Sequence, residues 1–274
     1  MKKITILFTF LLCTTLLFAE SIDEELYSAV SDNNLEKVES LLSEGANPNY
    51  VLNKGMVKVS PLITAIINKN FKIAELLVEN EADVNFRDGF ETTPLMYAAS
   101  SGNYEITKLL IDNDANVDAV DNNGNDIYEA GVKSRNREVI ELLSEYNEEK
   151  VMLYDLIVTG DELCKEQNDL EKGISNYTKA IALTSDNAEL YMKRGGAFFY
   201  QKDFEKAISD FSNAISEKTE DPANAYFMRG LAKSLLPTED VKGACEDFRK
   251  AKELGFSTKG LSGLNEYCGT NDLE

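Results

Sequence analysis

The sequence predicts an all-α protein made of two stacked helical-repeat solenoids, with short β-turn fingers in the first. Two internal periods support this prediction. Related segments recur every 33 residues up to about residue 149, and every 34 residues from about residue 150 onward. A fixed period of this length is typical of solenoids, in which each repeat buries its apolar face against the next one. The change of period predicts two domains, which also suits a chain of 274 residues.

The first period is carried by a segment that begins with a hydroxyl residue and proline. Residues 60–62 read Ser-Pro-Leu, residues 93–95 read Thr-Pro-Leu, and Leu77 recurs as Leu110 and Leu143. The hydroxyl caps a first helix, and proline supplies a preset φ at its first turn. Apolar residues three and four apart then predict a second helix in each unit.

This unit resembles the ankyrin repeat, whose 33-residue pattern carries Thr-Pro-Leu-His-x-Ala. Ile63 and Met96 stand where that pattern has histidine, and residues 126–128 of the fourth copy read Asp-Ile-Tyr. The resemblance covers residues 21–149 and implies about four repeats.

The second period is carried by small and aromatic residues. Gly173 recurs as Ala207, and Tyr177 recurs as Phe211, each 34 residues on. This pattern resembles the tetratricopeptide repeat (TPR), although Lys233 stands where an aromatic residue is expected. The resemblance implies about three repeats, closed by a capping helix.

The N-terminal segment is typical of a secretory signal peptide. Lys2 and Lys3 precede an apolar run from residue 4 to residue 19. We expect cleavage after Ala19 and export to the periplasm or the extracellular space; an uncleaved anchor is the alternative, because Leu17 is bulky. The expected domains are a signal peptide at 1–19, an ankyrin repeat domain at 20–149, a TPR domain at 150–254, and a capping helix and tail at 255–274.

Charge and residue usage exclude several classes of function. Without Lys2 and Lys3 the chain has 26 basic against 48 acidic residues, a net charge of −22. Nucleic acid and anionic membranes are therefore poor partners. The chain has no histidine, which removes histidine-based nucleophilic catalysis and common zinc sites. We expect no enzyme activity, no cofactor and no metal, and a monomer that binds a protein or peptide.

The two resemblances imply where a partner would bind. Ankyrin contacts at the finger tips and first helices map onto Met56, Val57, Val59, Ile67, Arg87, Phe90 and Val120. The TPR groove maps onto Met192, Phe199, Tyr200, Phe227, Leu231 and Leu235. Two alternatives stay open: the enlarged first finger buries its own apolar residues, or the capping helix fills the groove.

Three cysteines remain after signal cleavage. A bond between Cys245 and Cys268 would close a loop of about two dozen residues and contribute about 3 kcal/mol; two reduced, buried thiols are the alternative. Overall, the sequence predicts an exported scaffold or adaptor. The alternative is an exported inhibitor or immunity-type protein that neutralises a basic enzyme or toxin through its acidic surface.

Overall fold

The computed structural model describes residues 21–54, 57–236, 240–257, 263–269 and 273. The predicted signal peptide lies outside the described residues. The chain divides into two compact units, with the break between Glu148 and Glu149.

Unit 1 is a succession of short helix pairs with one β-hairpin. Its first helices pack on one another from pair to pair, and so do its second helices, which is the arrangement of a helical-repeat solenoid. Its elements are α1 (Ile22–Ser31), α2 (Leu35–Ser43), β1 (Leu52–Lys54), β2 (Val57–Val59), α3 (Pro61–Ile67), α4 (Phe71–Glu79), α5 (Pro94–Ser100), α6 (Tyr104–Asp112), α7 (Ile127–Ser134) and the start of α8 (Arg137–Cys164).

Side-chain caps explain where the first helices begin. Ser60 and Thr93 each accept a hydrogen bond, at 3.3 Å, from the backbone N–H three residues on. In the fourth copy Asp126 accepts from two N–H groups at 3.0 Å. The fourth copy lacks the Thr-Pro sequence, but Asp126 still caps its first helix.

A pair of hydrogen bonds from one asparagine side chain joins the base of a finger to the base of the next. Asn49 Oδ1 accepts from the Asp83 N–H at 2.7 Å, and its Nδ2 donates to the Glu81 carbonyl at 2.9 Å. Asn85 makes the same two bonds to the following unit, at 2.7 and 3.1 Å. Because each amide satisfies a donor and an acceptor of its neighbour, it fixes the offset between successive units.

Unit 2 also consists of consecutive helices packed in sequence order. Its first helix is the part of α8 that follows Asn147, where non-helical dihedral angles (φ −155°, ψ 88°) interrupt the helix. The unit continues with a 3₁₀ turn (Lys165–Gln167), α9 (Leu170–Leu183), α10 (Ala188–Tyr200), α11 (Phe204–Ser216), α12 (Pro222–Ser234), α13 (Val241–Glu253) and α14 (Leu264–Cys268).

Glycines allow the helices of unit 2 to approach closely. A Cβ atom added at Gly195 would lie 2.9 Å from Phe211 Cε1, and one added at Gly230 would lie 2.8 Å from Phe248 Cε1. Both rings are almost completely buried. The glycine and the ring of each pair therefore occupy one shared space, which explains why small and aromatic residues recur together.

Buried ion pairs cross the same helix pairs. Arg194 Nε and Nη2 each lie 2.8 Å from a carboxylate oxygen of Asp210, and Nη1 donates to Thr178 at 3.1 Å. Arg229 repeats this arrangement: it bonds Asp247 at 2.9 and 2.6 Å, and its Nη1 donates to Ser212 at 3.2 Å. Each arginine thus joins the second helix of its own pair to that of the preceding pair, in α9, α11 and α13.

Lys233 has a related role. Its Nζ lies 2.9 Å from Asp247, whose side chain is 5% exposed. Lys233, which stands where an aromatic residue was expected, is therefore the second cation beside the buried carboxylate of Asp247, after Arg229.

We predict opposite effects for two adjacent glycine substitutions. Gly195→Ala should lower the free energy of unfolding by about 1–3 kcal/mol, because the new methyl group overlaps the Phe211 ring. Gly196→Ala is the matched control: its Cβ would have no heavy atom within 4 Å among the described residues. In a helix it should raise stability by about 0.5–1 kcal/mol. Urea unfolding followed by circular dichroism measures both; equal effects would refute this account of the packing.

Candidate binding surfaces

The second finger of unit 1 is organised around the carboxylate of Asp88, which is 6% exposed. Its Oδ1 accepts from the N–H groups of Phe90 and Thr92 at 2.7 and 2.9 Å, and its Oδ2 accepts from Tyr97 Oη at 2.8 Å. One side chain therefore closes the finger and joins it to α5. Since the finger is held by three hydrogen bonds, the residues at its tip are presented in a defined conformation.

The second and third fingers are bonded to each other. Arg87 Nη1 donates to the Val120 carbonyl at 3.0 Å, and the Asn122 N–H donates to the Phe90 carbonyl at 3.1 Å. Phe90 is 57% exposed and Val120 is 47% exposed. The structure thus brings together three of the residues singled out in the sequence. We refer to Arg87, Phe90 and Val120 as the finger patch.

The first finger is a β-hairpin. Strands β1 and β2 pair antiparallel, with Leu52 opposite Val59 and Lys54 opposite Val57. Val59 is half-buried, as expected for a residue of a finger that packs on itself. Met56 lies outside the described residues, and only the backbone of Val57 is described.

Ile67 is exposed and is the last residue of α3, the first helix of its pair, in keeping with the mapping onto first helices.

A cleft of about 350 Å³ lies beside the second and third fingers, between α5 and α7. Tyr97 lines it together with polar and charged side chains of both helices. Burial, reinforced by the hydrogen bond to Asp88, raises the pKa of Tyr97 to about 12. This cleft was not predicted from the sequence. The available signal was an aromatic residue at position 97, where the preceding copy has Thr64.

The candidate groove of unit 2 is only partly open. Tyr200 and Leu235, the last residue of α10 and the residue after α12, are exposed. Met192 and Phe199 are half-buried and pack against the buried cluster of Ala207, Phe211 and Ala232.

Phe227 was wrongly expected to line an open groove, because it is only 8% exposed. Its ring stacks on Phe256 with centroids 4.1 Å apart and lies 5.7 Å from that of Phe248. Leu231, also expected in the groove, packs against the same cluster and is half-buried. Phe256 and residues of α14 pack on the cluster that contains Phe227. At Phe227 this agrees with the alternative in which the capping helix fills the groove.

The structure joins Cys245 of α13 to Cys268 of α14 by a disulfide bond, with Cα atoms 5.7 Å apart. Cys164 has a free thiol. Burial raises its pKa, so the reactive thiolate is disfavoured at neutral pH.

In the described part of the chain, no group of three or more Cys, Asp or Glu side chains could hold a metal ion. None of the described helices combines the length and apolar character needed to cross a bilayer.

The repeating fingers and helix pairs of unit 1 are matched by a known family. The family model for ankyrin repeats, in three copies, matches residues 26–121 and 62–155. The chain contains ankyrin repeats. Unit 1 is therefore an ankyrin unit, and Asp126 takes the place of the usual hydroxyl cap in its last repeat.

Curated relatives resemble parts of the chain. Hsc70-interacting protein 1 of Drosophila melanogaster is 37% identical over 100 residues, 36% of this chain and 26% of that protein. RNA polymerase II-associated protein 3 of Xenopus laevis is 34% identical over 110 residues, 38% of this chain and 16% of that protein. Putative ankyrin repeat protein R599 of Acanthamoeba polyphaga mimivirus is 41% identical over 69 residues, 24% of this chain and 17% of that protein. The chain spans about a quarter or less of each relative's length.

The pKa of Tyr97 gives a test of the finger geometry. Because folding raises this pKa from 10 to about 12, the stabilising contribution is complete below pH 10 and is lost as the pH rises through about 12. Tyr97→Phe should lower stability at pH 8 and weaken its decline between pH 10 and 12. Urea unfolding at a series of pH values measures the stability of both proteins, and tyrosinate absorbance measures the titration of Tyr97. A wild-type-minus-variant absorbance difference that titrates near pH 10 would contradict the Tyr97–Asp88 contact.

Proposed function

We propose that this chain is an exported scaffold or adaptor that binds another protein or peptide through the finger patch, the helical face of unit 2, or both. The observation that carries the proposal is the exposure of Phe90 and Val120 on two fingers that are hydrogen-bonded to each other. Exposed apolar side chains on a rigid base lose little conformational entropy on binding, which favours affinity.

Unit 2 extends this binding role as a TPR domain of about three repeats, spanning residues 150–254. The 34-residue period, the consecutive packed helices and the glycine-to-ring contacts support this assignment. Tyr200 and Leu235 lie 35 residues apart, the same offset as between Gly195 and Gly230, and both are exposed. They form a row of apolar contacts suited to an apolar or helical segment of a partner.

Protein is the partner class that the other observations favour. Ankyrin repeats are interaction modules, and one relative is named for an interaction with Hsc70 and another for association with RNA polymerase II. The net charge of −20 disfavours nucleic acid and anionic lipid.

A binding role also suits the chemistry of the side chains. The chain has no histidine, and burial disfavours the thiolate of Cys164.

Export is supported by the apolar run after Lys2 and Lys3 and by the Cys245–Cys268 bond. Disulfide bonds persist in oxidising compartments such as the periplasm and the extracellular space. The mature chain would therefore act outside the cytosol.

Loss of capture by finger-patch variants tests the function. The partner is first captured by crosslinking in the native cell and identified by mass spectrometry. Phe90→Asp and Val120→Asp should then each reduce its capture at least about tenfold, because a charge at a buried contact costs several kcal/mol. Tyr146→Asp is the matched control, since Tyr146 is 47% exposed and lies outside the finger patch.

Two results would count against the finger patch. If both variants keep full capture and unchanged helicity, the ankyrin fingers are not the contact. If capture instead disappears in roughly 0.5 M salt and is indifferent to both substitutions, the acidic surface carries binding, as an inhibitor of a basic protein would require.

A further inference from the structure

The chain after α13 covers an apolar end of unit 2. We define the C-terminal cover as Phe256, Leu264, Tyr267, Cys268 and Leu273. These residues pack on a cluster formed by Phe227, Ala244, Phe248 and Ala251. The Phe256 ring lies flat on Phe227, with ring planes 16° apart, and Leu273 is almost completely buried.

The cover has little secondary structure of its own. Helix α14 has five residues and is bounded by Gly263 and Gly269, both with left-handed backbone (φ 100° and 61°). A helix this short does not form alone in water. The position of the cover therefore depends on its side-chain contacts and on the bond that attaches it to α13.

The covered residues continue the apolar row of unit 2. Phe227 lies 35 residues after Met192, and Leu235 lies 35 residues after Tyr200. Leu231 lies on α12, about one helical turn from Phe227 and from Leu235, and is half-buried. The row is thus open at Tyr200 and Leu235 and closed at Phe227.

The two sulfur atoms of the bond have different surroundings. Cys245 is 4% exposed and belongs to the buried core of α13, whereas Cys268 lies at the end of α14 and is half-buried. A thiol from solvent can therefore reach the Cys268 sulfur more easily.

We propose that the Cys245–Cys268 bond is a redox-controlled latch that holds the C-terminal cover over Phe227. The oxidised form keeps this end of the row closed, and reduction releases the cover and adds Phe227 to the binding face. The latch itself follows from the packing, while its role in binding rests on the function proposed for unit 2.

The reductant is a dithiol, as in thiol–disulfide oxidoreductases. One of its thiolates attacks Cys268 Sγ, which breaks the bond, and Cys245 leaves as a thiolate that takes up a proton. The second thiol of the reductant then attacks the mixed disulfide and releases Cys268 as a thiol. The reductant ends as a disulfide, so two electrons and two protons pass to the protein.

Amide hydrogen exchange of the full chain, with and without dithiothreitol, tests the latch. After reduction, exchange at residues 263–269 should accelerate on the order of 100-fold, because the constraint of a closed loop of this length is lost. Exchange in α10 and α11 should stay unchanged. The binding of a fluorescent apolar dye should increase as Phe227 becomes exposed.

Variants separate the latch from side effects of the reductant. Cys268→Ser should show the open behaviour without dithiothreitol. Cys164→Ser is the matched control and should respond to dithiothreitol as the wild type does. Phe256→Ala should loosen the cover in the oxidised protein, because it removes the ring that stacks on Phe227.

Two outcomes would overturn the latch. If exchange at residues 263–269 is unchanged after complete reduction, packing alone holds the cover. If reduction unfolds all of unit 2 together, the bond stabilises the fold and does not control a segment. Neither readout needs a partner, so a failed latch can be told apart from a failed binding function.

Discussion

Burial of each helix pair under the next one is the constraint on which both units depend. A single pair has an apolar face that nothing else in the repeat covers, so the pairs must stack to form a continuous core. Polar side chains that bond from one repeat to the next then fix the offset of the stack. Asn49 and Asn85 do this in the ankyrin unit, and Arg194 and Arg229 do it in unit 2. Removing one member of such a buried ion pair typically costs about 3–5 kcal/mol, so these contacts also restrict what the sequence can vary.

The same stacking explains how the proposed binding surfaces arise. Because the core is formed by the helices, the fingers are free to expose apolar residues without loss of stability. Asp88 holds the second finger from inside, and Arg87 joins it to the third. The tip residues Phe90 and Val120 are thus exposed on a supported base. A binding face of this kind needs neither a catalytic group nor a cofactor.

The repeats could be predicted from the sequence because each depends on local signals. The Ser-Pro and Thr-Pro starts predict helix caps, and the recurring aromatic residues predict buried rings, as found for Phe211 and Phe248. The closed part of the groove could not be predicted in the same way. Phe227 is covered by a segment that lies beyond the last repeat and outside the period. The role of Lys233 could not be predicted either, since its partner Asp247 lies on the next helix and only the three-dimensional structure shows that the two side chains are close.

Site-specific photocrosslinking in the native cell would show whether the ankyrin fingers contact a protein partner. A photoreactive amino acid would replace Phe90 or Val120 in the finger patch, or Glu105, which is exposed on the second helix α6. The account predicts crosslinks to one and the same protein from both finger positions and none from Glu105. Equal crosslinking from all three positions, or none from the fingers, would contradict it.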